Sequence, residues 1–378
     1  MKVRLNYTAK ARRYAFEHPL LSALGIQISF WTLSFMILGF IIYFCSKAIS
    51  TAQGMPFEDT IAPLVIIAVI VGFMYGCILG TSDFYLYRNW SRGKPIGLLI
   101  IIKSIYYFLV MVLIFVLIKY VIWKYFIVPV YFEKVDFELP ERTWRLYFFA
   151  TLIYVLFMSI IINFITQVNR RFGPGVLIPI LLGHYAKPQE EERAFIFIDL
   201  KSSTTHAEKL GHLKYSKFLS ECFLEINHLS IKYQAEIYQY VGDEIVLSWP
   251  LNGLRTIIYI DFYFACKSLF LKKEKYYVKK YGVAPEFKAG LHLGLVTAVE
   301  VGDVKREIAF HGDTLNVTAR IQEKCKEYDA DLIISDDMFH SIVEEHNYQM
   351  LSNGMAKLKG RKEEIETFSV ALNEDSKS

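Results

Sequence analysis

The chain has 378 residues, of which 53% are hydrophobic and 21% charged, a balance too apolar for one ordinary soluble domain. A formal net charge of +4 is modest and does not by itself suggest nucleic acid as a partner. Cys45, Cys77, Cys222, Cys266 and Cys325 include no CxxC pair and no His at zinc-ligand spacing, so neither a disulfide framework nor a zinc site is expected.

Residues 1–21 form a basic segment with Lys2, Arg4, Lys10, Arg12 and Arg13. Long apolar runs then dominate residues 22–169, and four stretches, about 22–45, 61–87, 96–126 and 146–166, are long enough to cross a hydrocarbon core of about 30 Å. An all-α four-helix transmembrane domain is expected here. The first stretch is too long for a signal-peptide core and no small-residue cleavage site follows it, so it is expected to stay as a membrane helix.

Basic residues set the orientation. They crowd the N-terminal segment, the second connection (Arg88, Arg92, Lys94) and the end of the fourth span (Arg170, Arg171). These segments are expected in the cytoplasm of a multi-pass inner-membrane protein, with the C-terminal half on the same side. Asp83 and Lys103 fall near the cytoplasmic ends of their spans, where snorkelling to the interface would account for them; a sensing role is the other reading. No His lies within the four stretches, which removes a facing His pair for haem. The near absence of intramembrane polar residues offers no transport pathway. The membrane half is left as an anchor, a dimeriser or a receptor for an unknown membrane or extracellular ligand.

A linker is expected over residues 170–192, where Gly173, Pro174, Gly175 and Pro179 interrupt any helix continuing from the membrane. Its apolar patch, Val176 to Leu182, is too short to span and is expected to pack on a partner subunit or the membrane face. A second domain is expected over 193–372, with a tail at 373–378.

In that domain AFIFIDLKSSTTHAEKLG reads as a strand ending at Asp199, followed by Ser202, Ser203, Thr204 and a helix. A strand-end carboxylate followed by small polar residues and a helix start suits a metal and a polyphosphate; taken alone, a strand-end cap explains it as well. EIYQYVGDEIVLSW reads as two strands with a tight turn at Gly242 and Asp243, which an ordinary hairpin also explains. Taken together, two carboxylates from adjacent strands suit a pair of divalent cations. Within FKAGLHLGLVTAVEVGDVKREIAFHGDTLNVTAR, strand-like stretches lead to a helix on which Asn316 and Arg320, four apart, share a face. An amide that orients a sugar and a guanidinium that neutralises phosphoryl charge would serve phosphoryl transfer; a solvated Arg and a helix-start Asn are the plain alternative.

Taken in order, FIDLKSST, YVGDE, HGDTLNVTAR and KLKGRKEEIETFSV resemble the class III adenylate and guanylate cyclase catalytic domain over about 180 residues. The resemblance implies an α+β ferredoxin-like fold and a head-to-tail homodimer with active sites at its interface. In that scheme Asp199 and Asp243 hold two Mg²⁺ (or Mn²⁺) ions. Asn316 and Arg320 come from the other subunit, Asn316 to position the ribose and Arg320 to stabilise charge at the α-phosphate. Lys359, helped by Arg361, binds the terminal phosphates. The implied reaction is attack of the ribose 3′-hydroxyl of ATP on the α-phosphorus, giving 3′,5′-cyclic AMP and pyrophosphate.

The sequence departs from the family at two base-reading positions. Many adenylate cyclases carry Lys and Asp or Thr where this chain has Gln239 and Ala309, and guanylate cyclases usually place Glu at the first. A Gln amide both donates and accepts, so it meets either base edge. ATP is the expected substrate, with guanylate cyclase as the alternative. A catalytically inactive cyclase-like receptor or scaffold would lose a carboxylate or the Asn/Arg pair, and all four residues are present. YVGDEI also resembles the GGDEF signature of diguanylate cyclases, but Val241 replaces its second Gly and Asn316 and Arg320 are left without a role.

Overall fold

The computed structural model describes residues 14, 18–54, 60–90, 95–127, 140–172, 183–251, 255–304, 306–343, 346–357 and 364–373. Two compact units make up the chain: one of long helices, one of sheet and helices.

The first unit holds α1 (Pro19–Ala52), α2 (Ala62–Trp90), α3 (Ile96–Leu117), which runs on in wider π-type turns over Ile118–Ile127, and α4 (Glu141–Phe172). All four are long and apolar enough to cross a membrane. Their outward faces carry exposed Leu, Ile and Phe side chains, as a lipid-facing surface requires. Gly72, Gly76 and Gly80, spaced four apart along α2, bring it against α1: a Cβ on Gly72 would lie 2.5 Å from Thr32 Cα, and one on Gly76 2.5 Å from Ile28 Cα. Small residues at this spacing let helix backbones touch where water supplies no hydrophobic drive.

Snorkelling does not describe Asp83 and Lys103. Asp83 is only 4% exposed, and Lys103 Nζ reaches its Oδ1 at 2.8 Å. Its Oδ2 accepts from Gln27 Nε2 at 3.0 Å and from the Tyr107 hydroxyl at 3.1 Å, while Trp31 Nε1 donates to Gln27 Oε1 at 3.1 Å. Pairing between helices, with hydrogen bonds from Gln27 and Tyr107, offsets much of the desolvation penalty that would otherwise drive each charge to an interface with water.

The second unit is the expected α+β fold. Its elements are β1 (Gln189–Leu200), α5 (Ser203–Leu210), α6 (His212–Lys232), β2 (Glu236–Val241), β3 (Glu244–Pro250), α7 (Ile257–Lys272), α8 (Glu274–Tyr281), β4 (Phe287–Val301), β5 (Glu307–His311), α9 (Asp313–Lys324), β6 (Leu332–Ser335), α10 (Asp336–Ser341), β7 (Tyr348–Ala356) and β8 (Ile365–Leu372). The strands form one mixed sheet in the order β2-β3-β1-β4-β6-β8-β7, with β5 paired to the far half of β4. Only β4 and β6 run parallel among these pairs.

Period-2 alternation in β1 sorts its side chains between two faces. Ala194, Ile196, Ile198 and Leu200 enter the main core with Phe218, Cys222 and Ile226 of α6 and with Ile260, Tyr263 and Cys266 of α7. Each fully buried large apolar side chain there contributes roughly 1.5–3 kcal/mol. The opposite face carries Arg193, Phe195, Phe197 and Asp199, and α9 packs on it. Arg193 is buried and hydrogen-bonded to Glu191 (2.8 Å), Glu236 (2.5 Å) and Ser248 (2.9 Å), with its guanidinium over the Phe310 ring, so one side chain joins β1, β2, β3 and β5.

The apolar patch Val176 to Leu182 lies outside the described residues, as do Lys359 and Arg361.

Candidate active site

The acidic end of the site is built by register. Asp199 stands directly opposite Glu244 on β3 and Lys288 on β4, so these three side chains share one face of the sheet. Gly242, at φ +61°, closes the turn between β2 and β3, a left-handed conformation that glycine adopts at little cost. The turn sets Asp243 beside β1, where the Leu200 amide donates to the Asp243 carbonyl at 3.4 Å. Asp199 and Asp243 therefore occupy neighbouring strand ends at one corner of the sheet.

Electrostatics at this corner are unbalanced. Asp199 is held above the usual carboxylate range by burial and by the charge of Asp243, against the opposing pull of Lys288 and Gln322. Burial, reinforced by Asp199 and Asp243, pushes the Glu244 carboxyl up to about 7. A half-buried cluster with surplus negative charge is one that divalent cations would relieve, so these residues fit the family's metals. No group of three or more His, Cys, Asp or Glu side chains converges as a ready-made cage among the described residues.

Downstream of Asp199, Ser202 takes the left-handed conformation at φ 54°, unusual for a residue with a side chain, and Ser203 opens α5. Ser202 and Thr204 are exposed, whereas Ser203 is half-buried and bonded to Tyr215. Burial, then the nearby charge of Asp243, raises the Tyr215 hydroxyl, which places that ring at the edge of the acidic corner.

Asn316 and Arg320 both lie on α9, as the spacing predicts, but not on the face that meets Asp199. The inner face is Thr314, Val317, Thr318, Ile321 and Gln322, and Gln322 Nε2 donates to Asp199 Oδ2 at 3.0 Å. With ~100° per residue, Arg320 stands about 200° around the helix from Gln322, and Asn316 about 40° from Arg320. Asn316 is exposed, and the Arg320 guanidinium is engaged by Glu323, Nη1 lying 2.6 and 2.8 Å from its two oxygens. One protomer thus does not bring its own Asn316 and Arg320 onto its own carboxylates.

Gln239 and Ala309 belong to strands that meet over the same sheet face. The Phe310 amide donates to the Tyr238 hydroxyl at 3.2 Å and the two rings pack at 5.0 Å, so positions 239 and 309 each adjoin a direct contact between β2 and β5. Gln239 is exposed, and Ala309 is half-buried opposite Val299.

Sequence reasoning passed over Glu244, Lys288 and Gln322. For the first two the available signal was strand register with Asp199, and register requires knowing which strands pair. Gln322 follows Arg320 by two residues, which on a helix means the opposite face, so the motif itself pointed away from it.

Residues 185–371 match the family model described as the adenylate and guanylate cyclase catalytic domain. That domain belongs to the class III adenylate and guanylate cyclases. This cyclase is 32% identical over 220 residues to adenylate cyclase 2 of Rhizobium meliloti (strain 1021), covering 58% of this chain and 61% of that protein. It is 24% identical over 189 residues to adenylate cyclase 1 of the same organism, covering 48% of this chain and 27% of that protein. The cyclase therefore spans under two thirds of the length of either relative. Among solved structures it is similar to a bacterial light-regulated adenylyl cyclase, with a TM-score of 0.48 and 18% identity over 57% of this chain and 65% of that one.

Proposed function

We propose that this cyclase is a membrane-anchored, homodimeric adenylate cyclase that converts ATP to 3′,5′-cyclic AMP and pyrophosphate. The observation that carries the reading is the division of α9: Gln322 faces the carboxylates of its own protomer, while Asn316 and Arg320 face outward, where a second copy would use them.

In the assembled site Asp199 and Asp243 of one protomer would hold two Mg²⁺ or Mn²⁺ ions. Such a pair supplies an acidified 3′-hydroxyl and charge neutralisation for the leaving pyrophosphate. Asn316 of the second protomer holds the ribose so that its 3′-oxygen stands in line with the α-phosphorus. Arg320, exchanging Glu323 for phosphate oxygens, takes up charge as the 3′-O–P bond forms and the bond to the β-phosphate bridging oxygen breaks. Ser202, Ser203 and Thr204 offer hydroxyls and amides to the phosphates, and Lys359 and Arg361 are assigned the terminal phosphates from the motif alone. Gln239 and Ala309 line the base end. Adenine is favoured because the curated relatives are named adenylate cyclases.

A second reading, GTP as substrate, is supported by Gln239: its exposed amide presents both a donor and an acceptor to either base edge. The four apolar helices and the basic short connections support a multi-pass inner-membrane protein with N-terminus and catalytic half in the cytoplasm.

The test is complementation in the full chain. Asp199→Ala and Asn316→Ala each lower activity at least 100-fold alone, and co-expression restores a clear fraction because the mixed dimer retains one intact site. Failure to complement would refute a shared site. Mass spectrometry of the product with ATP and GTP at equal concentration decides the base, and cyclic GMP as the main product would overturn adenine.

A further inference from the structure

Helix α9 lies unusually close to β4. A Cβ on Gly290 would stand 2.5 Å from the Gln322 amide nitrogen and 2.7 Å from the Thr318 carbonyl oxygen, and one on Gly294 would stand 2.6 Å from Thr314 Oγ1. The helix is also pinned at both ends: Thr314 Oγ1 donates to the Leu295 carbonyl at 2.8 Å, and Cys325 Sγ to the Ala289 carbonyl at 3.3 Å. Two bare positions on one strand thus let a helix backbone rest on a strand backbone. The consequence is reach. Gln322, 5% exposed, extends from that seat to Asp199 Oδ2, which Lys288 Nζ also approaches at 3.2 Å.

Both donors act on Oδ2, so the carboxylate is turned with Oδ1 kept for a cation. The amide does this without charge, and so without opposing a dication as the lysine does. We infer that Gln322 is a positioning residue for Asp199, and that α9 therefore serves two active sites at once. Its inner face orients the metal-binding carboxylate of its own protomer, and its outer face lends Asn316 and Arg320 to the partner's site. This rests on the shared-site reading proposed above.

The experiment uses mixed dimers of the full chain, with Gln322→Met keeping the side-chain volume and removing the donor. In the dimer of Asp199→Ala and Asn316→Ala chains, the working site takes its carboxylates from the Asn316→Ala chain. Gln322→Met added to that chain is expected to lower activity about tenfold, the scale of losing a group that orients a metal ligand. Added to the Asp199→Ala chain, it is expected to cause no further loss. Equal losses on both chains, or a loss confined to the Asp199→Ala chain, overturn the inference. An inactive parent pair instead refutes the shared site itself.

A readout independent of turnover is Mn²⁺ affinity, followed by electron paramagnetic resonance on purified full-length protein with an ATP analogue lacking the 3′-hydroxyl. Gln322→Met is expected to weaken it roughly tenfold, with Gln322→Ala doing the same should Met disturb packing. Unchanged affinity in both variants overturns the inference.

Discussion

Asp331 sits between two lysines. Lys201 Nζ bonds its Oδ1, and Lys267 Nζ lies 2.5 Å from its Oδ2. Burial alone would raise this carboxyl, but the hydrogen bonds and charges of the two lysines outweigh it and hold the group below the usual range. Lys201 follows Asp199 by two residues, so the clamp ties the segment carrying Ser202 and Ser203 to the start of β6. A carboxyl lowered by folding contributes stability that is present above its unfolded value, about 3.9, and lost as pH falls through the folded value. Asp331→Asn is therefore expected to cost about 1 kcal/mol at pH 7, since both lysines are partly exposed. Thermal unfolding followed from pH 7 to pH 3 checks this: the wild type loses stability below about pH 4 more steeply than the variant, and parallel curves would refute the clamp.

Among the elements, α9 and β4 act as one piece, and the weak point of that piece is Gly290. In Gly290→Ala the new methyl meets backbone atoms of α9 at Thr318 and Gln322, which no rotamer change relieves. Overpacking of this kind costs about 1–3 kcal/mol, and the forced shift of α9 draws Gln322 off Asp199. Lower melting temperature together with lost activity is the expected result; a variant as stable and active as the wild type would contradict the close seat. In the unit of long helices the comparable junction is Asp83 with Lys103, Gln27 and Tyr107, which joins α1, α2 and α3. Asp83→Leu removes the carboxylate that pairs with the buried Lys103, at a cost of about 3–5 kcal/mol. Reduced yield and melting temperature in detergent are expected, with Asp83→Leu/Lys103→Met recovering most of the loss.

For the whole molecule, the proposed topology makes a direct prediction. A periplasmic-reporting phosphatase fused after Gly54 is expected to be active, and a fluorescent protein fused after Asn373 is expected to fluoresce; an inactive phosphatase at Gly54 would invert the orientation. What the sequence determined by itself was local. Four runs long enough to span a bilayer, the alternation that makes β1, the turn at Gly242 and the Asn316/Arg320 spacing each depend on neighbours within a few residues. The positions of the two aspartates were legible for the same reason, since one stands at the end of β1 and the other in the turn between β2 and β3. Tertiary structure decided what depends on distant parts of the chain meeting. Asp83 found Lys103 and Gln27 on other helices instead of reaching for the interface, because pairing and hydrogen bonds inside the bundle offset the penalty of burying a charge. Gln322 became part of the acidic corner only because Gly290, 32 positions earlier, has no side chain to hold the helix away. Contacts of that kind follow from close packing, which periodicity and motif spacing do not encode.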